Sequence, residues 1–191
     1  MNVGIISPFK TGTTSLNTAL FNAGIKTLKS HGFNDEISKT HPPNSFTHIF
    51  LLLRDPKSTY LSAYFQDIDI VDYSYYYGDR EKVLNADPNE LIEHFKSFNW
   101  NLFPHVNHDY FYECIEKYFN VNLKRIDEDE KFWISEKMGT FFIIIRTEKL
   151  NEVIDEVCFR VGLPKLVIEK HNNSQDKWYV KKYEEVKLLL K

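Results

Sequence analysis

The 191-residue sequence has only two cysteines, Cys114 and Cys158, too far apart for a metal-ligand spacing. They read as buried thiols in a reducing compartment. No stretch approaches the length of a membrane span. The opening Met1-Asn2-Val3-Gly4-Ile5-Ile6 lacks the charged start and long apolar run of a targeting signal, so a cytoplasmic location is expected. Charge of one sign is also lacking. A net charge of -3 and a pI near 6.2 exclude a general basic surface for nucleic acid or anionic membrane. Anion binding must therefore come from a few local residues. There is no internal repeat, no low-complexity tract and no linker long enough to divide domains, which predicts one domain over residues 1–191. What is present is 42% hydrophobic and 27% charged residues, the balance of a globular protein with a real core. The 15% of aromatic residues serve that core first, although such rings also suit stacking on bases or sugars.

Three apolar or nearly apolar runs mark strands, and a short mixed stretch, Ile25 to Ser30, fits one more. Val3 to Ile6, Ile25 to Ser30, Thr47 to Leu53 and Phe141 to Ile145 each read as a strand, the third covered on both faces. Helical spacing runs from Ser15 to Ala23 before Gly24, from Pro56 to about Phe65, from Pro88 to Phe98 and from His108 to Phe119. Further helices are expected over Glu148 to Val161, ended by Gly162, and over Lys177 to Leu190. Val121 to Ile126 reads as a further strand before an acidic turn, Asp127 to Glu130, and a hairpin. Strands alternating with helices predict a three-layer α/β fold around a largely parallel sheet.

Two loops carry the chemistry. Ser7-Pro8-Phe9-Lys10-Thr11-Gly12-Thr13-Thr14-Ser15 joins the first strand to the first helix, where backbone N–H groups and the helix dipole favour an anion. Gly12 permits close backbone approach, the hydroxyls add donors, and Lys10 adds a cation. Against the nucleotide pattern G-x-x-x-x-G-K-[ST], Gly4, Lys10 and Thr11 match but Phe9 replaces the second glycine, which disfavours an ATP-type loop. The second loop follows Leu53. Arg54 stands at a strand end and Ser62 eight positions on, in a helix, a spacing with which both can grip one phosphate.

As a pair these loops resemble the PAPS-dependent sulfotransferases (PAPS is 3′-phosphoadenosine 5′-phosphosulfate), which have a P-loop NTPase-like fold. Pro8 to Ser15 resembles that family's loop for the 5′-phosphosulfate, and Arg54 to Ser62 its 3′-phosphate motif. Phe141 to Leu150 is similar to its late strand and Arg-x-Glu-x-Leu turn, with Arg146 and Glu148 expected to hold that turn as an ion pair. The tail Asn173-Ser174-Gln175-Asp176-Lys177-Trp178-Tyr179 resembles the signature of a bacterial sulfotransferase-like group described as capsular polysaccharide synthesis proteins.

The resemblance implies a transferase that moves a sulfuryl group from PAPS to a hydroxyl of a glycan or other polyol. It needs no metal and leaves 3′,5′-adenosine bisphosphate (PAP). The implied partners are that nucleotide and a carbohydrate acceptor. Lys10 would stabilise the leaving group, with Lys10, Thr11, Gly12, Thr13, Thr14, Ser15, Arg54 and Ser62 binding the donor. The implied base is His31, which closes the second strand 23 positions before Arg54; His41 matches the family's Lys-Thr-His letters better but lies in a proline-flanked loop. Lys29 would be a second cation, and Glu36 ranks below both histidines as the base; Asp67 and Asp69 suit either the wall of the acceptor cleft or, more simply, a solvated helix end. Ser15 stands where the family carries a Trp that stacks on adenine. Trp178 or Tyr179 would then supply the stacking, with Lys177 closing over the 3′-phosphate. Tyr73, Tyr75, Tyr76 and Tyr77 suit either a sugar-stacking wall or a subunit contact. A P-loop-type small-molecule kinase and a catalytically silent glycan-binding protein are the competing readings.

Overall fold

The structure is a computed structural model that describes residues 2–8, 11–30, 40–70, 75–100, 106–169 and 177–190. These residues group into two compact units, one from residues 1–56 and 105–171, the other from 57–104 and 172–191.

The first unit is built on a five-stranded sheet in the order β2-β1-β3-β5-β4, comprising β1 (Asn2–Ile6), β2 (Lys26–Ser30), β3 (His48–Leu53), β4 (Phe132–Lys137) and β5 (Thr140–Arg146). The first three strands and β5 run parallel; β4 joins β5 as an antiparallel hairpin. This is the expected α/β architecture with a largely parallel central sheet. Met138 and Gly139 both take positive φ, the two-residue turn whose twist matches a hairpin.

Alternation along the strands sends side chains to two cores. On one face Val3, Ile5, Phe50, Leu52, Ile143 and Ile145 meet α1 (Thr13–Asn22) and the later helix Leu150–Val161. On the other, Ile49, Leu51, Leu53, Phe142 and Ile144 meet the helix His108–Phe119 through Phe111, Ile115 and Phe119. All six residues of β3 are buried, as a strand covered on both faces requires. Gly4 belongs to this packing. A Cβ there would stand 2.6 Å from Ile49 Cδ1 and 3.3 Å from the Phe46 ring, so its absence lets β1 and β3 seat their neighbours.

The second unit holds α2 (Pro56–Asp67), α3 (Arg80–Asn85), α4 (Pro88–Ser97) and α7 (Val180–Leu189) around Tyr64, Phe65, Leu91, Tyr183 and Val186. Asp79 and Asp87 cap α3 and α4 by accepting from Lys82 N and Asn89 N. The helices of the first unit that follow in sequence are α5 (His108–Phe119) and α6 (Leu150–Val161), which ends at Gly162 in the left-handed conformation.

Residues 121–126 form no strand. Their apolar side chains are buried, but side chains of α5 take their backbone donors: Leu123 N donates to Glu116 Oε1 and Ile126 N to the Tyr112 hydroxyl. Arg125 fixes the arrangement by a two-pronged bond to Glu116. Among the described residues no helix is long and apolar enough to cross a membrane.

Candidate functional site

In the sheet β2 lies on one side of β1 and β3 on the other. The crossovers therefore leave in opposite directions, and in such sheets ligands bind beyond the carboxyl ends at that point. The first loop begins there. Ser7 ties the neighbouring strands together: its N–H donates to Ser30 O (3.3 Å) and its Oγ accepts from Leu52 N (2.7 Å). Thr11, fully buried, donates its hydroxyl to Pro8 O at 2.7 Å, so that hydroxyl braces the loop. Gly12 then begins α1 at φ 75°, and among the described residues no side-chain cap bond is made from the N-cap position. A Cβ on Gly12 would be strained at that φ and would meet Thr147 Cγ2 at 3.1 Å.

Thr13 is buried in the first turn of α1, while Thr14 and Ser15 are half-buried beside it. Lys29, from the carboxyl half of β2, donates to Thr14 Oγ1 at 3.2 Å, which brings the expected second cation to this loop. Lys10 and His31 lie outside the described residues, as do Phe9, Glu36 and Tyr73.

The loop after β5 clasps the other two. Thr147 Oγ1 donates to Thr11 O at 2.9 Å. Glu148 Oε1 accepts from Asp55 N at 3.1 Å and stands 4.0 Å from Arg54 Nε. The expected pairing of Arg146 with Glu148 is therefore corrected: Glu148 turns to Arg54 and Asp55, while Arg146 Nη2 donates to Ile126 O at 3.1 Å. Register explains the meeting, because Leu53 pairs with Arg146 and the two chains leave the sheet side by side. Thr147 and Glu148 are site residues that sequence reading passed over as turn formers.

The rival histidine, His41, lies away from the first loop. His41 stacks on Phe46 at 6.1 Å and lines a small recess with Asn2 and Lys26, the first residues of β1 and β2. That is the amino edge of the sheet, opposite the first loop.

Ser62, Lys177 and Trp178 belong to the second unit, and their part in binding rests on the resemblance alone. Ser62 is half-buried in α2. Trp178 has the Arg80 guanidinium 5.1 Å from its ring centroid, and the Lys177 ammonium lies 5.6 Å from the Tyr179 ring. Tyr179 packs among Phe65 and Trp178 in the core, which withdraws it as a base-stacking platform. Asp69 is likewise no solvated helix end: it is buried and paired with Arg80 at 2.7 Å. Tyr76 is a core residue, whereas Tyr75 and Tyr77 are exposed and Lys82 sits 3.2 Å from the Tyr75 ring centroid.

His108, the first residue of α5, was read only as a helix residue. Burial pushes its imidazole below the ordinary value, the nearby Arg146 charge pushes the same way, and Asp109, Glu148 and Asp55 oppose them. Among the described residues no three His, Cys, Asp or Glu side chains gather as a metal site. No protein-family model, no curated protein and no solved structure matches the chain.

Proposed function

We propose that this chain transfers a sulfuryl group from PAPS to a hydroxyl of a glycan or other polyol, on a P-loop NTPase-like sulfotransferase fold. The observation that carries this reading is the clasp of three loops at the carboxyl edge of the parallel sheet. Thr147 holds the first loop by the carbonyl of Thr11, and Glu148 holds the backbone beside Arg54. A helix start with no side-chain cap bond from its N-cap position and a strand-end arginine, tied to one turn, suit a nucleotide with phosphate at both ends of its ribose.

The sulfuryl group carries less charge than a phosphoryl group, so cations of the chain take the place of a metal. Lys10 neutralises the charge that grows on the leaving phosphate as its bond to sulfur breaks. Lys29 supports it from Thr14. Arg54 takes the 3′-phosphate, oriented by Glu148 behind it.

The product nucleotide tests this directly. PAP at about 100 times its dissociation constant stabilises the folded chain by about 2.7 kcal/mol. For a chain of this size that raises the melting temperature by roughly 5–11 °C. The rise is expected without magnesium and disappears in Arg54→Ala. ATP with magnesium raising the temperature in its place marks a kinase; no rise from either marks a silent protein.

A further inference from the structure

Three buried polar atoms of the first unit have no hydrogen-bond partner among the described residues, Ser45 Oγ, His108 Nε2 and Arg146 Nε, and the last two belong to residues close enough for the Arg146 charge to act on His108. Their neighbourhood is defined by the segment that both flank. Arg146 Nη2 donates to Ile126 O at 3.1 Å, and Ile126 N donates to the hydroxyl of Tyr112 at 3.4 Å. Tyr112 stands four positions after His108, one turn along the same face of α5. The Arg146 charge acts on both His108 and Tyr112. Arg146 ends β5, whose next residues clasp the first loop and Arg54, so the pair lies at the carboxyl edge already described.

A buried donor and a buried ring nitrogen left unpaired each carry a desolvation penalty that a partner would remove. One kind of atom satisfies both. An Nε–H of arginine needs an acceptor, and an imidazole Nε2 that carries its lone pair needs a donor. A hydroxyl oxygen accepts from the first and donates to the second. Acceptors of the reaction proposed above are hydroxyls.

We propose that His108 is the base that takes the proton from the acceptor hydroxyl, and that Arg146 Nε–H holds that same oxygen for attack. This rests on the sulfotransferase reading and proposes His108 in place of His31, the histidine that the resemblance implies. The acceptor oxygen forms a bond to sulfur while the bond from sulfur to the bridging oxygen breaks. Its proton passes to His108 Nε2, and the electron pair of the broken bond leaves on the 5′-phosphate of PAP. The surroundings keep the base neutral. Burial and the Arg146 cation from β5 favour the unprotonated ring, against Glu148 and Asp55 from the adjoining loops and Asp109 on α5 itself.

Water is the smallest hydroxyl acceptor, and sulfate release from PAPS in buffer reads the step without knowledge of the glycan. We expect the wild-type chain to release sulfate with an acidic limb in its pH profile. His108→Gln is expected to lower that release by about 10²–10⁴-fold and to abolish the limb. PAP still raises the melting temperature of His108→Gln by the wild-type amount, which shows the variant folded with its nucleotide site intact. Equal release by the two proteins, at any level, or a limb that survives in His108→Gln overturns the assignment and leaves the pair as the seat of a structural water. Failure of PAP to stabilise the wild type removes the sulfotransferase reading itself, and the assignment with it.

Discussion

Replacing Lys10 by alanine is expected to slow sulfuryl transfer by about 10²–10³-fold, equivalent to about 2.7–4 kcal/mol of barrier. The transition state is loose, so most of the developing charge lies on the bridging and terminal oxygens of the leaving phosphate. An ammonium aimed there is worth more as the bond breaks than before it. The loss should therefore fall on the rate constant of the bound complex more than on nucleotide affinity. Lys29 touches the same loop by way of Thr14, and Lys29→Ala is expected to lose less, since its bond to that hydroxyl is exposed and screened. The check is single-turnover consumption of labelled PAPS by wild type and Lys10→Ala. Equal rate constants in the two would remove Lys10 from the chemistry.

Acid is expected to destabilise the fold well above the range in which carboxylates titrate. Burial holds His48, His94 and His108 below the ordinary histidine value, and the folded state therefore resists their protonation. The Val161 carbonyl at 2.9 Å partly offsets this at His48. Unfolded, each ring binds its proton near pH 6.5. Their contribution is thus complete above about pH 6.5 and is lost as pH falls from there through each folded value. Each ring can contribute a slope of at most about 1.4 kcal/mol per pH unit, so the three together reach up to about 4 kcal/mol per unit. Glu116, held low by its bond to Arg125, works in the same direction only at more acid pH. Urea midpoints at pH 7, 6 and 5 provide the check. A falling midpoint is the expected result, and a constant one would place these rings in contact with solvent.

The fold was legible where one residue type decides the outcome. The apolar run Val3–Ile6 and the nearly continuous one at Thr47–Leu53 have no stable place outside a covered sheet, and Gly24 and Gly162 end helices because their positive φ suits no other residue as well. The segment 121–126 misled because its apolar residues Val121, Leu123 and Ile126 are buried as those of a strand would be. Glu116 and Tyr112 on α5 take the backbone bonds that a strand partner would have taken. The short helix Arg80–Asn85 left no period long enough to read.

The site divides in the same way. Its first loop is contiguous, so Thr11, Gly12 and Thr14 announce it together. Thr147 reaches Thr11 across 136 positions and Glu148 reaches Asp55 across 93, contacts that no local spacing encodes. His108 was hidden for a different reason. A histidine opening an amphipathic helix looks like any other surface residue until its Nε2 is found buried and unpaired. His41 shows the converse: its letters match a catalytic motif, yet the chain carries it to the amino edge of the sheet.

A crystal of the protein soaked with PAP in the absence of magnesium tests the central claim most directly. The 5′-phosphate is expected over Gly12 and Thr13 at the start of α1, and the 3′-phosphate on the guanidinium of Arg54. A nucleotide bound elsewhere, or phosphates that leave both of these positions empty, would contradict it.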